Sequence, residues 1–249
     1  MNYQLADKIA IISGGTSGIG LSVAKKMLAD GAEVFIIGRS EKRGLEALAA
    51  LGKVASRVTY VQADVSTLAG CRLVAQSVKQ KAEKADILVN SAGMYQEQRL
   101  EALTEEDYIQ TMDTNLKSTI FLCQAILPLL SQGGTIINMA SDAALEGNYG
   151  CPVYCASKGA IVAFTRAIAL DLAPQIRVNC ICPGDVLTPM VKKQLDKGGY
   201  TLAEMSQPYP LGRIGQPEEI AHVVCSIASP LNGFMTGSII CVDGGLTAK

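Results

Sequence analysis

Ile9-Ala10-Ile11-Ile12-Ser13-Gly14-Gly15-Thr16-Ser17-Gly18-Ile19-Gly20 is the stretch that decides how the chain folds. A short β-branched run stops at a cluster of glycines and gives way to a helical pattern through Ala29. Glycines at a strand-to-helix turn let the backbone approach a pyrophosphate, and the helix N-terminus then meets its charge. The glycines fall at 14, 18 and 20 rather than in the usual Gly-x-Gly-x-x-Gly order. What marks this turn is its position, after the first strand of a repeating series.

That series runs along the whole chain. Short β-rich runs at Ile9 to Ser13, Glu33 to Ile37, Val58 to Gln62, Ile87 to Asn90, Thr135 to Met139, Arg177 to Ile181 and Ser238 to Val242 alternate with longer helical patterns. Such alternation specifies repeated βαβ units. The expected fold is α/β: one Rossmann-type, doubly wound domain spanning residues 1–249, with about seven parallel strands and helices on both faces. A length of 249 residues with 49% apolar content suits one large core. Thr188 to Gly215, with Gly198, Gly199, Pro208 and Pro210, reads as an irregular lid over a substrate.

Composition narrows the partners. Lys and Arg number 22 against 23 Asp and Glu, so a net charge of −1 offers no broad attraction to nucleic acid or an anionic membrane. The apolar run Ile9 to Ile12 is too short for a secretory leader, and no stretch reads as a membrane span, so a cytoplasmic protein acting on a small molecule is expected. Eight cysteines occur without a Cys-x-x-Cys, and His222 is the only histidine. Reduced, mostly buried thiols and no metal site are expected, with His222 a structural or surface residue.

The second strand ends in Gly38-Arg39-Ser40, where an NAD-selective dinucleotide fold usually carries an acidic residue for the ribose hydroxyls. Gly38 removes that carboxylate and Arg39 supplies a planar cation suited to a 2′-phosphate. The expected cofactor is NADP in preference, with NAD possible. Ser17 adds only a hydroxyl there.

The chemistry is read from Tyr154-Cys155-Ala156-Ser157-Lys158. Four-residue spacing puts a phenol and an ammonium on one helical face, where the cation stabilises the phenolate. A tyrosine whose pKa is lowered in this way can give and take the proton of an alcohol. Ser141 leaves the strand Thr135 to Met139 at the sheet end where ligands bind.

With these residues in place the chain resembles the short-chain dehydrogenase/reductase family, in its shorter soluble branch. The resemblance covers the whole length: Ser13 to Gly20, Asn90-Ser91-Ala92-Gly93, Asn115, Ser141, Tyr154, Lys158 and Pro183-Gly184 before Thr188 follow in order. It implies that Ser141 bonds the substrate oxygen, Tyr154 exchanges the proton, Lys158 binds the nicotinamide ribose and lowers the tyrosine pKa, and Asn115 anchors a relay water. It also implies a cofactor site built from Gly14, Thr16, Ser17, Gly18, Ile19, Gly20, Arg39, Ser40, Asp64, Val65, Asn90, Ala92, Gly93, Tyr154, Lys158, Pro183, Gly184, Val186 and Thr188. Asp64 would contact adenine, and Val186 and Thr188 the carboxamide. Ser13 for threonine and Ser91 for asparagine are mild departures.

The family includes reductases of 3-oxoacyl groups on acyl carrier protein, an acidic partner that needs basic residues by the site. Ser118 to Ser157 contains no Lys or Arg, which favours a free ketone or alcohol such as a sugar, a steroid or another hydrophobic alcohol. Leu187, Met190, Val191, Leu195, Tyr200, Leu202 and Met205 in the lid suit a partly apolar substrate, or simply pack. The helix from Tyr154 to Leu172 is apolar around most of its circumference, which predicts a homo-oligomer, by resemblance a tetramer. A cofactor-sensing regulator without catalysis is the alternative of another class, and the complete set Asn115, Ser141, Tyr154 and Lys158 argues against it.

Overall fold

The computed structural model describes residues 2–196 and 198–248. Seven strands form one parallel sheet: β1 (Ile9–Ser13), β2 (Glu33–Gly38), β3 (Val58–Gln62), β4 (Ala85–Asn90), β5 (Leu130–Met139), β6 (Arg177–Pro183) and β7 (Ile239–Val242). Their order is β3-β2-β1-β4-β5-β6-β7. The chain winds outward from β1 in one direction, returns, and winds outward from β4 in the other. This is the doubly wound arrangement the alternation predicts, and its switch point lies between β1 and β4.

Strand side chains alternate between faces, so neighbours on β1 serve different cores. Ile12, with Ile36 and Val89, packs under α1 (Gly18–Ala29) and a late helix Pro217–Ala228. Ile11, with Phe35, Leu88, Ile136 and Val178, packs under two other helices, Leu68–Ala82 and Ser118–Ile126. Ile11, Ile12, Ile36 and Leu88 are all fully buried. Helices therefore cover both faces, as expected.

Between these elements lie α2 (Glu41–Leu51), α3 (Leu68–Ala82), α4 (Glu105–Met112), α5 (Ser118–Ile126) and α6 (Pro152–Leu172). Beyond β6 come α7 (Pro189–Asp196), α8 (Leu202–Ser206) and α9 (Pro217–Ala228). The stretch 188–215 is thus less irregular than its glycines and prolines suggest. A capping box at α8, in which Thr201 and Glu204 bond each other's backbone, starts a helix there. Val191, Tyr209 and Ile214 anchor the stretch in a small core with Leu246, and Leu187, Leu195 and Met205 pack on it. Of the apolar lid residues, Leu187, Val191, Leu195 and Met205 pack, whereas Met190, Tyr200 and Leu202 are exposed. Lys197 within this stretch lies outside the described residues.

Among the described residues one helix, α6, is long and apolar enough by length and composition to cross a membrane. By length and composition this departs from the expectation that no stretch reads as a membrane span. Ser157, Lys158 and Thr165 are buried on that helix, Lys158 bonds a β5 carbonyl, and Ile161, Val162 and Ala169 join the sheet cores, so one side of α6 packs on the sheet. The eight cysteines are free thiols, six buried, with Cys155 partly and Cys241 fully exposed. His222 is exposed, and its Nδ1 lies 2.6 Å from the Tyr3 hydroxyl, as expected for a structural or surface residue.

Candidate active site

The first glycine turn is built by steric necessity. Gly14 and Gly18 hold φ of +67° and +52°, a left-handed conformation that side chains disfavour. A Cβ on Gly14 would stand 2.9 Å from the Ser91 carbonyl, and one on Gly18 would stand 3.2 Å from Thr188. Gly20 packs against the backbone of Gly14 itself. The turn thus brings the loops after β4 and β6 to the mouth of α1. Ser17 N-caps α1 without a side-chain bond to it. The helix's first N–H groups keep their donor capacity for an anion.

The neighbouring loops converge on the same edge. The Ser13 hydroxyl accepts from the Ser91 and Ala92 N–H groups, each at 3.1 Å, so the serine at position 13 ties β1 to the β4 exit. Asn90 is buried and donates to Asn138 at 2.8 Å, while its Oδ1 is buried without a partner. Gly38 is required by contact as well as by charge, because a Cβ there would lie 2.7 Å from Thr16. Arg39 is exposed and forms no ion pair among the described residues, and Ser40 caps α2 by accepting from Arg43 N–H. Asp64 is exposed at the β3 exit, where its carboxylate accepts from Ser66 N–H and hydroxyl at 3.0 and 2.7 Å; Val65 beside it is buried. After β6, Pro183 and Gly184 lead to Val186, bridged to Gly215, and to Thr188. The structure brings every cofactor-binding candidate to the carboxyl edge of the sheet.

The reacting groups sit where this edge meets α6. Ser141 follows β5 in extended conformation and caps a single 3₁₀ turn, Asp142–Ala144. Pro152 fixes the first turn of α6, which carries Tyr154, while Lys158 lies one turn deeper and buried. The Lys158 ammonium donates to the Met139 carbonyl at 3.0 Å and stands 5.8 Å from the centre of the Tyr154 ring. Burial pulls its pKa down to about 8, against a smaller opposing push from Cys180 and Cys182.

One expectation changes here. The sequence reading has Lys158 lowering the Tyr154 pKa, but burial raises the phenol above its ordinary value, the Ser141 hydroxyl only partly opposes this, and Asp142, Cys151 and Asp185 add to the rise. The main cause is burial, which disfavours the charged phenolate; the two carboxylates facing the phenol add to it, while the Lys158 ammonium donates to Met139. Asp142 accepts from the Ser141 hydroxyl and from Ala143 N–H.

Asn115 lies in a π-helical turn, Asp113–Lys117, between α4 and α5. Its amide accepts from Met94 N–H at 2.8 Å and donates to the Met94 carbonyl and the Ser157 hydroxyl at 3.0 and 3.1 Å. That locks the β4 loop to α6. A Cβ on Gly93 would lie 3.4 Å from Asn115 Oδ1 and 3.5 Å from Lys158 Nζ, so glycine leaves a gap between them. Close approaches that only glycine allows at Gly14 and Gly38, the space beside Gly93, a helix N-terminus whose cap makes no side-chain bond, and a cation with no ion pair among the described residues together fit an extended dinucleotide.

Sequence reasoning missed four residues of the site. Tyr95 meets the Tyr154 ring edge-on, at 5.1 Å and 78°. Asp142 adjoins Ser141, a neighbour visible in the sequence. Asp185 and Tyr209 meet across the β6 exit, where the tyrosine hydroxyl accepts from Asp185 N–H at 2.7 Å. No local pattern signals a partner 24 positions away.

Residues 14–247 match a family model described as Enoyl-(Acyl carrier protein) reductase. The chain is 38% identical over 250 residues to the 3-oxoacyl-(acyl-carrier-protein) reductase of Chlamydia pneumoniae, covering 99% of this chain and 100% of the relative. A short-chain dehydrogenase/reductase of the glucose/ribitol dehydrogenase type from Brucella melitensis superposes with a TM-score of 0.93 at 32% identity, covering 99% of both chains. L-Sorbose reductase of Gluconobacter frateurii, complexed with NADPH and L-sorbose, superposes at 0.94 and 30% identity over 100% of both chains.

Proposed function

Because the chain belongs to the short-chain dehydrogenase/reductase family, we propose that it interconverts a free ketone and its secondary alcohol with Tyr154 as proton donor and acceptor, using NADP in preference to NAD. The observation that carries this is the meeting of Ser141 from β5 with Tyr154 and Lys158 from α6, beside the gap that Gly93 keeps. The nicotinamide, when bound, supplies or accepts the hydride. Ser141 orients the substrate oxygen, Tyr154 moves the proton, and Lys158 holds the ribose hydroxyls. The Asn115 carbonyl, in its π turn, serves the relay water.

On the adenosine side, Asp64, Val65, Asn90 and Ala92 line the path, and Arg39 with Ser40 takes the 2′-phosphate. The exposed, unpaired Arg39 and the missing acid at Gly38 support this preference, as does the NADPH of the sorbose reductase. Val186 and Thr188 hold the carboxamide, and 188–215 covers the substrate. The absence of Lys and Arg from Ser118 to Ser157 supports a free substrate. A second reading, reduction of a 3-oxoacyl group on a carrier protein, is favoured by the chlamydial relative. The sensor reading has no such support.

The same reading makes the protein a cytoplasmic homotetramer without a nucleic-acid or membrane partner. The outward face of α6, with Ala163, Ala167 and Leu170 exposed, supports helix-to-helix assembly. Turnover with NADPH and NADH across ketones, sugars, steroids and a 3-oxoacyl thioester tests the function. Tyr154→Phe abolishing turnover while retaining cofactor binding is the expected outcome; parental turnover in that variant would overturn it. Light scattering tests the assembly, and a monomer at micromolar concentration would refute it.

A further inference from the structure

Two thiols bracket Tyr154, and the hydride reaction uses neither. Cys151 is the N-cap of α6 and Cys155 lies one turn on, with their Sγ atoms 3.8 Å apart. Cys151 is 1% exposed and Cys155 is partly exposed, so a reagent reaches the pair through Cys155. Cys180 and Cys182, close together on β6, are both fully enclosed and offer no such access.

The backbone at this point can respond. Cys151 has a non-helical conformation (φ −141°, ψ 49°), and Gly150 before it holds φ +70°. The preceding residues Gly147, Asn148 and Tyr149 are exposed. A disulfide needs sulfurs ~2.05 Å apart and Cβ atoms about 3.5–4.5 Å apart, so closure must draw the non-helical N-cap Cys151 and Cys155 in the first turn together from the present Sγ separation of 3.8 Å. Closing the bond therefore pulls the first turn of α6 out of helical shape, and Tyr154 is on that turn. Cys151 also donates its thiol to the Asn148 carbonyl at 3.5 Å, so the loop that enters α6 moves together with its first turn.

We propose that Cys151 and Cys155 form a thiol–disulfide exchange site, which a low-molecular-weight disulfide oxidises to an intramolecular bond that distorts the first turn of α6 and displaces Tyr154. The Cys155 thiolate attacks one sulfur of the disulfide, forming a mixed disulfide and releasing one thiolate. Cys151, losing its proton to water, then attacks the Cys155 sulfur and releases the second thiolate. The protein loses two electrons, and the disulfide is reduced to two thiols that take up the two protons. Burial and the adjacent Cys155 push the Cys151 thiol up to about 12, so ring closure is slow at neutral pH and accelerates as pH rises.

Bond formation is independent of the proposed reaction; its effect on turnover rests on that reading. The test treats the full-length protein with oxidised glutathione, maps thiols by differential alkylation and mass spectrometry, and follows amide hydrogen exchange across residues 152–158. The expected result is loss of two hydrogens from the peptide holding Cys151 and Cys155, at least ~10-fold faster exchange in that turn, loss of turnover, and recovery with dithiothreitol. Cys155→Ser should show none of these changes. Both thiols still alkylating after treatment, a mixed disulfide that never closes, or a closed bond with unchanged exchange would each overturn the proposal. Failure of the functional reading looks different, because the untreated protein would then turn over no carbonyl at all.

Discussion

Ser141 donates its hydroxyl proton to the adjacent Asp142 carboxylate at 2.5 Å, with both residues buried at the exit of β5. The hydroxyl that is to orient a substrate oxygen is thus engaged by a carboxylate that also faces Tyr154. Burial raises the Asp142 pKa, partly opposed by the bonds from Ser141 and Ala143. Asp185 and Asp243 stand near enough to interact with it.

Asp142→Asn removes this charge and keeps the shape. The negative charge helps to raise the Tyr154 pKa, so its loss brings the phenol down. Alcohol oxidation needs the phenolate, and its kcat/KM should therefore begin to rise at lower pH in the variant, by about one unit for a single partly screened charge. The pH profiles of the two proteins check this, and coincident profiles would mean that Asp142 does not act on Tyr154.

The fold was legible because its signals are local and periodic. Every predicted strand is present to within a few residues, and the glycine turn follows from crowding at Gly14 and Gly20. The positions of Ser141, Tyr154 and Lys158 were equally readable, since each stands at a strand exit or on one helical face. Their electrostatics were not. The bond from Lys158 to Met139 spans 19 positions, and the carboxylates facing Tyr154 arrive from two different strands. The stretch 188–215 holds more helix than its composition suggests for a simpler reason: Thr201-x-x-Glu204 is a capping signal that the flanking glycines and prolines mask.

Arg39→Ala should separate the two cofactors. A charge-assisted bond to a phosphate contributes about 1.5–3 kcal/mol, so the KM for NADPH should rise roughly 10- to 100-fold. The KM for NADH should stay within about threefold, because no 2′-phosphate is present. Equal changes with both cofactors would remove Arg39 from the phosphate site.

Glu219 holds the far end of the 188–215 stretch. It accepts from both terminal nitrogens of Arg213, at 2.7 and 2.8 Å, and from Gln216 N–H. The Arg213 hydrogen bond, first among its causes, holds the Glu219 carboxyl down at about 2. A depressed pKa stabilises the fold above the unfolded value of ~4.3, and that contribution is lost as pH falls toward 2. Both side chains are more than 40% exposed, so screening limits the effect to about 0.5–1 kcal/mol. Glu219→Gln should cost that much in urea denaturation at pH 7, and the difference should vanish near pH 2.

Lys158→Met should make the protein more stable and inactive. A buried ammonium with a pKa of about 8, against ~10.4 in the unfolded chain, opposes folding wherever it must be charged. The unfolded chain binds more protons between these values, so parental stability rises with pH across that window and the full penalty is present below pH 8. Methionine fills similar volume without the charge but leaves the Met139 carbonyl without its donor. The net gain should be about 1–3 kcal/mol at pH 7, shrinking toward zero above pH 10, as read by denaturant unfolding of the cofactor-free protein. Turnover should fall at least ~100-fold, the scale of mispositioning the nicotinamide when its ribose loses Lys158. A variant no more stable than its parent at pH 7 would show that the bond to Met139 already offsets the cost of burying the charge.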